Sequence, residues 1–205
     1  MFSLKKILAI FLSILITSTA YATPAEIIIV RHADKLLQNE PGPTLTAKGI
    51  ARSVAFAYYF LDNYGEPDVL IASHPNKSNS DESIRALQTL APLDNILSTR
   101  HPDHDFVILH PYVNSKYADL AQSLLTDSEF NGKLIVISWS HTYIPKLAKK
   151  LGVTQKLDPW PEDDFDTVLD LKYDAKGRLI QFDKLDHQYP ISFNGTWKDL
   201  YNLVR

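Results

Sequence analysis

Apolar residues in this chain occur in two kinds of segment, which alternate along the sequence. Short segments, each with an apolar run rich in β-branched residues, occupy residues 27–30, 68–73, 106–109 and 133–138. Such runs are typical of strands that are buried on both faces, as in a parallel sheet. Between the runs, apolar residues recur every three or four positions, which predicts helices. The alternation therefore predicts an α/β protein.

Four helices are predicted between and after these strands. The first starts at Thr46, a plausible N-cap, and its apolar residues Ile50, Val54 and Tyr58 repeat at helical spacing up to Gly65. The second begins near Ser80, with Ile84, Leu87 and either Leu90 or Ala91 expected to face inward. Pro92 is expected to kink or restart that helix. The third and fourth helices are predicted over residues 115–126 and 144–151.

A hairpin is predicted at the end of this pattern. Residues 165–173 and 178–185 have strand character, and they flank the turn formers of residues 174–177. A hairpin pairs its strands antiparallel, so it belongs at an edge of the sheet. The expected architecture is a three-layer α/β/α sandwich with a mostly parallel central sheet and an antiparallel edge.

The first 22 residues have the pattern of a secretory signal peptide rather than of a domain. Lys5 and Lys6 precede an apolar run over residues 7–16, and residues 20–22 read Ala-Tyr-Ala. We expect cleavage after Ala22 and a single domain over residues 23–205. The run is short for a membrane span, so no stable anchor is expected after cleavage. Export to the periplasm or the medium is the predicted destination.

Composition bears on three classes of function and stability: nucleic-acid binding, disulfide bonding and metal binding. The net charge is −3, which does not indicate a nucleic-acid surface. The chain has no cysteine, so an exported form must be stable without disulfides. The loop over residues 101–105 contains two histidines and two aspartates, but it is interpreted as a polar connection rather than a metal site.

Three basic side chains are expected at one edge of the predicted sheet. Arg31 and His32 directly follow the first buried run, and His141 follows the fourth. Ligands of open α/β sheets bind at the carboxyl ends of the strands, where these residues lie. Arg85, near the start of the second helix, is expected on the same rim.

Four sequence blocks together resemble the histidine phosphatase superfamily, whose fold is phosphoglycerate mutase-like. The first is Arg31-His32-Ala33-Asp34, which is similar to the family's Arg-His-Gly/Ala-Glu signature. The others are residues 45–53 (Leu-Thr-Ala-Lys-Gly-Ile-Ala-Arg-Ser), residues 71–73 with 83–89 (Ile-Ala-Ser and Ser-Ile-Arg-Ala-Leu-Gln-Thr), and residues 136–141 (Val-Ile-Ser-Trp-Ser-His). Their order and spacing cover residues 27 to about 171, most of the predicted domain.

The resemblance implies a phosphomonoester hydrolase with a covalent intermediate. A neutral nitrogen of His32 would attack phosphorus and form a phosphohistidine, while an acceptor holds its other ring nitrogen. Arg31 and Arg85 would bind the phosphoryl oxygens as planar cationic forks, and protonated His141 would add a donor. These groups supply the charge, so no metal or cofactor is expected, and the partner is a small phosphorylated molecule.

The chain departs from the family at the acid that protonates the leaving oxygen. One branch of the family has a Glu after the third strand, and residues 110–119 contain none. Another has Asp directly after the second histidine, where Thr142 stands here. Asp34 is the nearest carboxyl group in sequence to His32, and Asp81, Glu82 and Asp119 are further candidates.

Two functions stay open at this point. The first is an exported phosphatase of phosphomonoesters. The second is a phosphate-recognising envelope protein with weak or absent turnover, which the missing acid favours. Trp139, Tyr143 and Trp160 are expected either in the core or at the mouth of the site. No protein partner and no particular substrate are indicated by the sequence.

Overall fold

The computed structural model describes residues 23–35, 42–75 and 83–191, and in these ranges strands alternate with helices as predicted. The strands are β1 (Glu26–Arg31), β2 (Val69–Ala72), β3 (Ile108–Leu109), β4 (Leu134–Trp139), β5 (Val168–Tyr173) and β6 (Leu179–Leu185). The helices are α1 (Ala47–Tyr64), α2 (Arg85–Arg100), α3 (Tyr117–Thr126) and α4 (Ile144–Lys150), with short 3₁₀ turns at Asn114–Lys116 and Ser128–Phe130.

All six strands form one sheet with the order β3-β2-β4-β1-β5-β6. The pairs β1–β4, β2–β4 and β2–β3 are parallel, whereas β5 runs antiparallel to both β1 and β6. The predicted class, a mostly parallel sheet with an antiparallel edge, is confirmed. Because β1 lies between β4 and β5, its carboxyl end is in the middle of the sheet edge.

The core has two halves, one on each face of the sheet. In β1, Ile27 and Ile29 pack with residues of α3 and α4, while Ile28 and Val30 pack with residues of α1 and α2. All four side chains are fully buried, each worth roughly 1.5–3 kcal/mol in removal from water. The unbroken apolar run of β1 therefore follows from burial on both faces, and the three-layer prediction is confirmed.

Helix α1 has the predicted start and end but a different buried face. Thr46 accepts a hydrogen bond from the Gly49 backbone N–H at 3.1 Å. The face against the sheet includes Phe56 and Phe60, which are fully buried. Val54 and Tyr58 are 40% and 57% exposed, so the apolar repeat that contains them marks the helix but not its packing face.

Helix α2 begins at Arg85 and is continuous through Pro92, so of the two predicted outcomes, a kink or a restart, the restart does not occur. Leu90 and Leu93 are fully buried on either side of the proline. Proline removes one backbone donor, and packing against the sheet compensates for that loss. Ile84 is at the N-cap position and 36% exposed, and Ala91 is exposed, so neither faces inward.

Several predictions concern residues outside the described ranges. These are the signal peptide with its cleavage after Ala22, the helix start near Ser80, and the candidate acids Asp81 and Glu82. In the ranges that the structure describes, no helix combines the length and the apolar character that a membrane span needs.

Candidate active site

His32 lies at the carboxyl end of β1, with its ring held in one orientation. Its backbone N–H donates to the Trp139 carbonyl at 3.0 Å, which continues the parallel pairing of β1 with β4. Its Nδ1 lies 2.9 Å from the Ala33 carbonyl oxygen. A carbonyl oxygen can only accept, so Nδ1 carries the proton in this contact and Nε2 has a free lone pair. A histidine nucleophile needs this tautomer.

The environment of His32 favours its neutral form. Burial lowers the pKa of His32 to about 3, and the charges of Arg31, Arg85 and Lys35 lower it as well, against the hydrogen bond to Ala33. The imidazole is therefore uncharged at neutral pH. The same three cations show that positive charge is concentrated at this end of β1.

Arg31, the last residue of β1, is fully buried and is fixed by main-chain carbonyls. Its Nη1 donates to the carbonyl oxygens of Pro161, Glu162 and Asp164 at 2.8, 2.8 and 2.9 Å. The guanidinium carbon lies 4.0 Å from the centre of the Phe165 ring. These contacts anchor one end of the guanidinium to the segment that precedes β5.

The other edge of the Arg31 guanidinium, made of Nε and Nη2, has no hydrogen-bond partner among the described residues. Burial lowers the pKa of Arg31 to about 10, although the charges of Asp164, Glu162 and Asp34 raise it. Two buried N–H donors without acceptors are costly, and the planar edge that carries them matches two oxygens of a phosphoryl group. Arg31 therefore offers a preformed anion-binding edge beside His32.

Arg85 is the first residue of α2 and is 9% exposed. Its Nη2 donates to the Gly42 carbonyl at 2.6 Å. One turn later, Thr89 donates to the Arg85 carbonyl at 2.8 Å and accepts from the Ala33 N–H at 2.9 Å. Thr89 thus connects the start of α2 to the residue after His32, which fixes Arg85 relative to His32.

His141 lies in the turn after β4 and is partly buried, with Nδ1 buried and unpartnered in the described part of the chain. Burial lowers the pKa of His141 to about 4, the charges of Arg31 and Lys35 lower it too, and Glu162 raises it. At neutral pH this imidazole is uncharged, in contrast to the protonated donor that the resemblance implies. It needs the negative charge of a bound group to gain its proton.

Comparison with known proteins found similarity in structure rather than in sequence. No protein-family model and no curated protein matches the sequence. The protein histidine phosphatase SixA in complex with tungstate superimposes with a TM-score of 0.52 at 17% identity, over 78% of this chain and 96% of that one. A mycobacterial glucosyl-3-phosphoglycerate phosphatase superimposes with a TM-score of 0.50 at 14% identity, over 79% of this chain and 98% of that one. A structure named mycobacterial hydrolase 2 superimposes with a TM-score of 0.51 at 13% identity, over 88% of this chain and 96% of that one. The chain has the fold of the histidine phosphatase superfamily.

The superfamily-like Leu-Thr-x-x-Gly block has a clear structural reason in this chain. Thr46 caps α1 and hydrogen bonds through its backbone N–H to the Asp34 carbonyl at 3.0 Å. A Cβ atom on Gly49 would lie 2.3 Å from that carbonyl oxygen. Only glycine lets the first turn of α1 approach the segment after His32 so closely.

Asp34, proposed above as a proton donor, is held in a buried ion pair instead. Its two oxygens accept from Arg52 Nε at 2.5 Å and from Arg52 Nη2 at 3.3 Å. Arg52 also contacts Asp166 at 3.1 Å and the Tyr189 carbonyl at 3.3 Å. Asp34 therefore positions the segment after His32 and is a poor choice for a donor. Arg52 was not predicted as a site residue, because its only signal in the sequence is its place in the block over residues 45–53.

The other candidate acids are not placed at the site by the structure. Asp119 is exposed on α3, where it pairs with Lys116 at 3.2 Å. Asp81 and Glu82 lie outside the described residues. Two charged residues that the sequence analysis did not select, Lys35 and Glu162, both act on His141. Neither has a periodic or motif signal, since each lies in a loop.

The aromatic residues belong to the packing of the fold. Trp139 is fully buried and donates to the Asn114 carbonyl at 3.2 Å, and Trp160 is 8% exposed and donates to the Asp164 carbonyl at 3.1 Å. Tyr143 is partly buried and stacks on Tyr117, with 5.7 Å between the two ring centres. Trp139, Tyr143 and Trp160 were predicted either in the core or at the mouth of the site, and the core is correct for Trp139 and Trp160.

Proposed function

We propose that this chain is a metal-independent phosphomonoester hydrolase that uses a phosphohistidine on His32. The observation that carries the proposal is the pairing of two features at the end of β1. His32 has a free Nε2 lone pair because Nδ1 is held by Ala33, and Arg31 presents a buried cationic edge that has no partner among the residues the structure describes. A nucleophile beside a preorganised anion site is the arrangement that phosphoryl transfer requires.

In the proposed reaction Nε2 of His32 attacks phosphorus, and the bond from phosphorus to the leaving oxygen breaks. Arg31, Arg85 and His141 bind the phosphoryl oxygens. The negative charge of these oxygens raises the pKa of His141 and so favours its protonation. Water then attacks the phosphohistidine and releases phosphate, which regenerates the neutral His32. The low pKa of His32 keeps it unprotonated for each cycle.

The names of the structural neighbours support this proposal. One is a protein histidine phosphatase with tungstate bound, and another is a glucosyl-3-phosphoglycerate phosphatase. Tungstate is a tetrahedral oxyanion, so a site for such an anion exists on this fold in that protein.

We also propose that the chain is exported and cleaved after Ala22, which the N-terminal mass of the secreted protein tests.

Hydrolysis of p-nitrophenyl phosphate, in the presence of EDTA and across mildly acidic to neutral pH, tests the proposed function. We expect turnover by the wild-type protein and none by His32→Ala. His104→Ala is the matched control because that histidine is exposed and contacts the Phe106 ring in the loop that follows α2. Turnover that persists in His32→Ala, or that EDTA abolishes, would refute the proposal.

A phosphate-recognising protein with little turnover is the second candidate. It is favoured by one observation, that neither Asp34 nor Asp119 is placed to protonate a leaving group. This candidate predicts saturable binding of inorganic phosphate or tungstate with no phosphohistidine. The two functions therefore differ in whether phosphorus ever becomes attached to His32.

A further inference from the structure

The segment between α4 and β5 places Glu162 next to Arg31, although the two residues are far apart in the sequence. Glu162 is 131 residues from Arg31, yet its carbonyl oxygen accepts from Arg31 Nη1 at 2.8 Å. The neighbouring carbonyls of Pro161 and Asp164 bind the same nitrogen. Arg31 therefore fixes the main chain on both sides of Glu162, which limits where the side chain of Glu162 can reach.

The charge of Glu162 acts on the same groups that surround the proposed phosphoryl site. Its carboxylate raises the pKa of His141, of Lys35 and of Arg31, in each case against the lowering that burial causes. The Glu162 side chain is exposed, so it is free to meet a ligand. Among the described carboxylates, it is the one whose charge raises the pKa of His141.

The nearby aspartates have other contacts. Asp164 accepts from the backbone N–H groups of residues 166 and 167 and from the Thr167 hydroxyl. Asp166 pairs with Arg52 and with His187, and Asp34 pairs with Arg52. Asp163 is exposed, and its charge raises the pKa of Arg31.

We propose that Glu162 is the proton donor of the reaction, a role that rests on the proposed phosphatase function. As the Nε2–P bond forms and the P–O ester bond breaks, the proton of the Glu162 carboxylic acid passes to the leaving oxygen. In the second step the resulting carboxylate takes a proton from water while the water oxygen attacks phosphorus and the P–N bond breaks. Phosphate leaves and Glu162 is again protonated.

The dependence of the rate on the leaving group tests this role. Phenol, whose pKa is about 10, leaves poorly without a proton, whereas p-nitrophenol is a good leaving group. We expect Glu162→Gln to lower kcat/KM for phenyl phosphate by about a hundredfold to ten-thousandfold, and to lower it far less for p-nitrophenyl phosphate. With p-nitrophenyl phosphate the variant should accumulate phosphohistidine, because the base for the second step is also lost.

Asp163→Asn is the matched control, since it removes the adjacent exposed carboxylate. We expect it to change both substrates by the same small factor and to accumulate no phosphohistidine. Equal losses on both substrates in Glu162→Gln, no loss on either, or the same leaving-group profile in Asp163→Asn would overturn the proposal. Circular dichroism of both variants shows whether the fold is retained. A wild-type protein that forms no phosphohistidine would instead refute the underlying phosphatase function, and with it the role of Glu162.

Discussion

Two arginines are buried near the end of β1, and their surroundings are opposite. Arg52 is 6% exposed and pairs with two carboxylates, Asp34 and Asp166. Burial alone lowers its pKa, but the hydrogen bond and charge of Asp34 and the charge of Asp166 more than compensate, so the pKa of Arg52 is raised. Arg31 is fully buried, bonds only to carbonyl oxygens among the described residues, and has a lowered pKa of about 10.

Arg52 holds the fold together, whereas Arg31 is the arginine to which the proposed function assigns an anion. A buried charge is costly unless a partner compensates it. Arg52 has its partners within the chain and ties α1 to the segments after β1 and before β5. In the described part of the chain, Nε and Nη2 of Arg31 have no hydrogen-bond partner, so this edge is available to an anion.

The largest expected effect is on activity, in Arg31→Gln. Glutamine can still donate to the carbonyls before β5, but it lacks the cationic edge. We expect kcat/KM for p-nitrophenyl phosphate to fall by about a thousandfold. The free energy of unfolding, measured in urea, should fall by less than in Arg52→Gln, because an uncompensated buried charge is removed. An Arg31→Gln protein with wild-type activity would show that the open edge of Arg31 does not bind the substrate.

The matched change, Arg52→Gln, should act on stability. It leaves Asp34 and Asp166 as buried carboxylates without their guanidinium, which costs about 3–5 kcal/mol in the free energy of unfolding. Adding Asp34→Asn should recover part of that loss, because one unpaired charge disappears. Urea unfolding of the single and double variants measures both. Strict additivity of the two substitutions would contradict the pairing of Arg52 with Asp34.

A smaller loss is expected from Gly49→Ala, which tests the close approach of α1 to Asp34. A Cβ at this position lies 2.3 Å from the Asp34 carbonyl oxygen, so the helix and the segment after His32 must separate. We expect a loss of about 1–3 kcal/mol in the free energy of unfolding. Gly42→Ala is the control because nothing lies within 4 Å of its added Cβ. Equal stability of the two variants would contradict this packing.

A more gradual effect is a change in the pH dependence of stability through His32. Its pKa is about 3 in the folded chain and about 6.5 when unfolded, so the unfolded chain binds more protons between those values. Stability should therefore fall as the pH drops below about 6.5, by at most about 1.4 kcal/mol per pH unit from this group. His32→Asn should flatten the curve there, while His104→Asn should not. Unchanged curves in His32→Asn would contradict the neutral, buried imidazole.

The parts of the fold that the sequence predicts are those with a local physical signal. Burial on both faces makes β1 and β4 continuous apolar runs, and their ends locate Arg31, His32 and His141. Arg85 was predicted because residues 83–89, which contain it, belong to another block that resembles the superfamily. The face of α1 was harder, since the exposed Val54 and Tyr58 repeat at the same spacing as the buried Phe56 and Phe60.

The rest of the site depends on contacts between distant segments. The pairing of Asp34 with Arg52 needs the angle at which α1 crosses the segment after β1, which no local pattern encodes. The position of Glu162 needs the three carbonyl contacts of Arg31 with a loop more than 125 residues away. Such contacts are properties of the packed molecule, so residue spacing alone does not place Glu162 beside Arg31.

The most direct test of the central claim is to trap the phosphorylated protein. Wild-type protein is mixed with p-nitrophenyl phosphate, quenched in base, and mapped by mass spectrometry. We predict one acid-labile, base-stable phosphoryl group per chain on His32, absent from His32→Ala and present in His104→Ala. A chain that turns over substrate without this adduct, or that carries it on another residue, would contradict a His32 nucleophile.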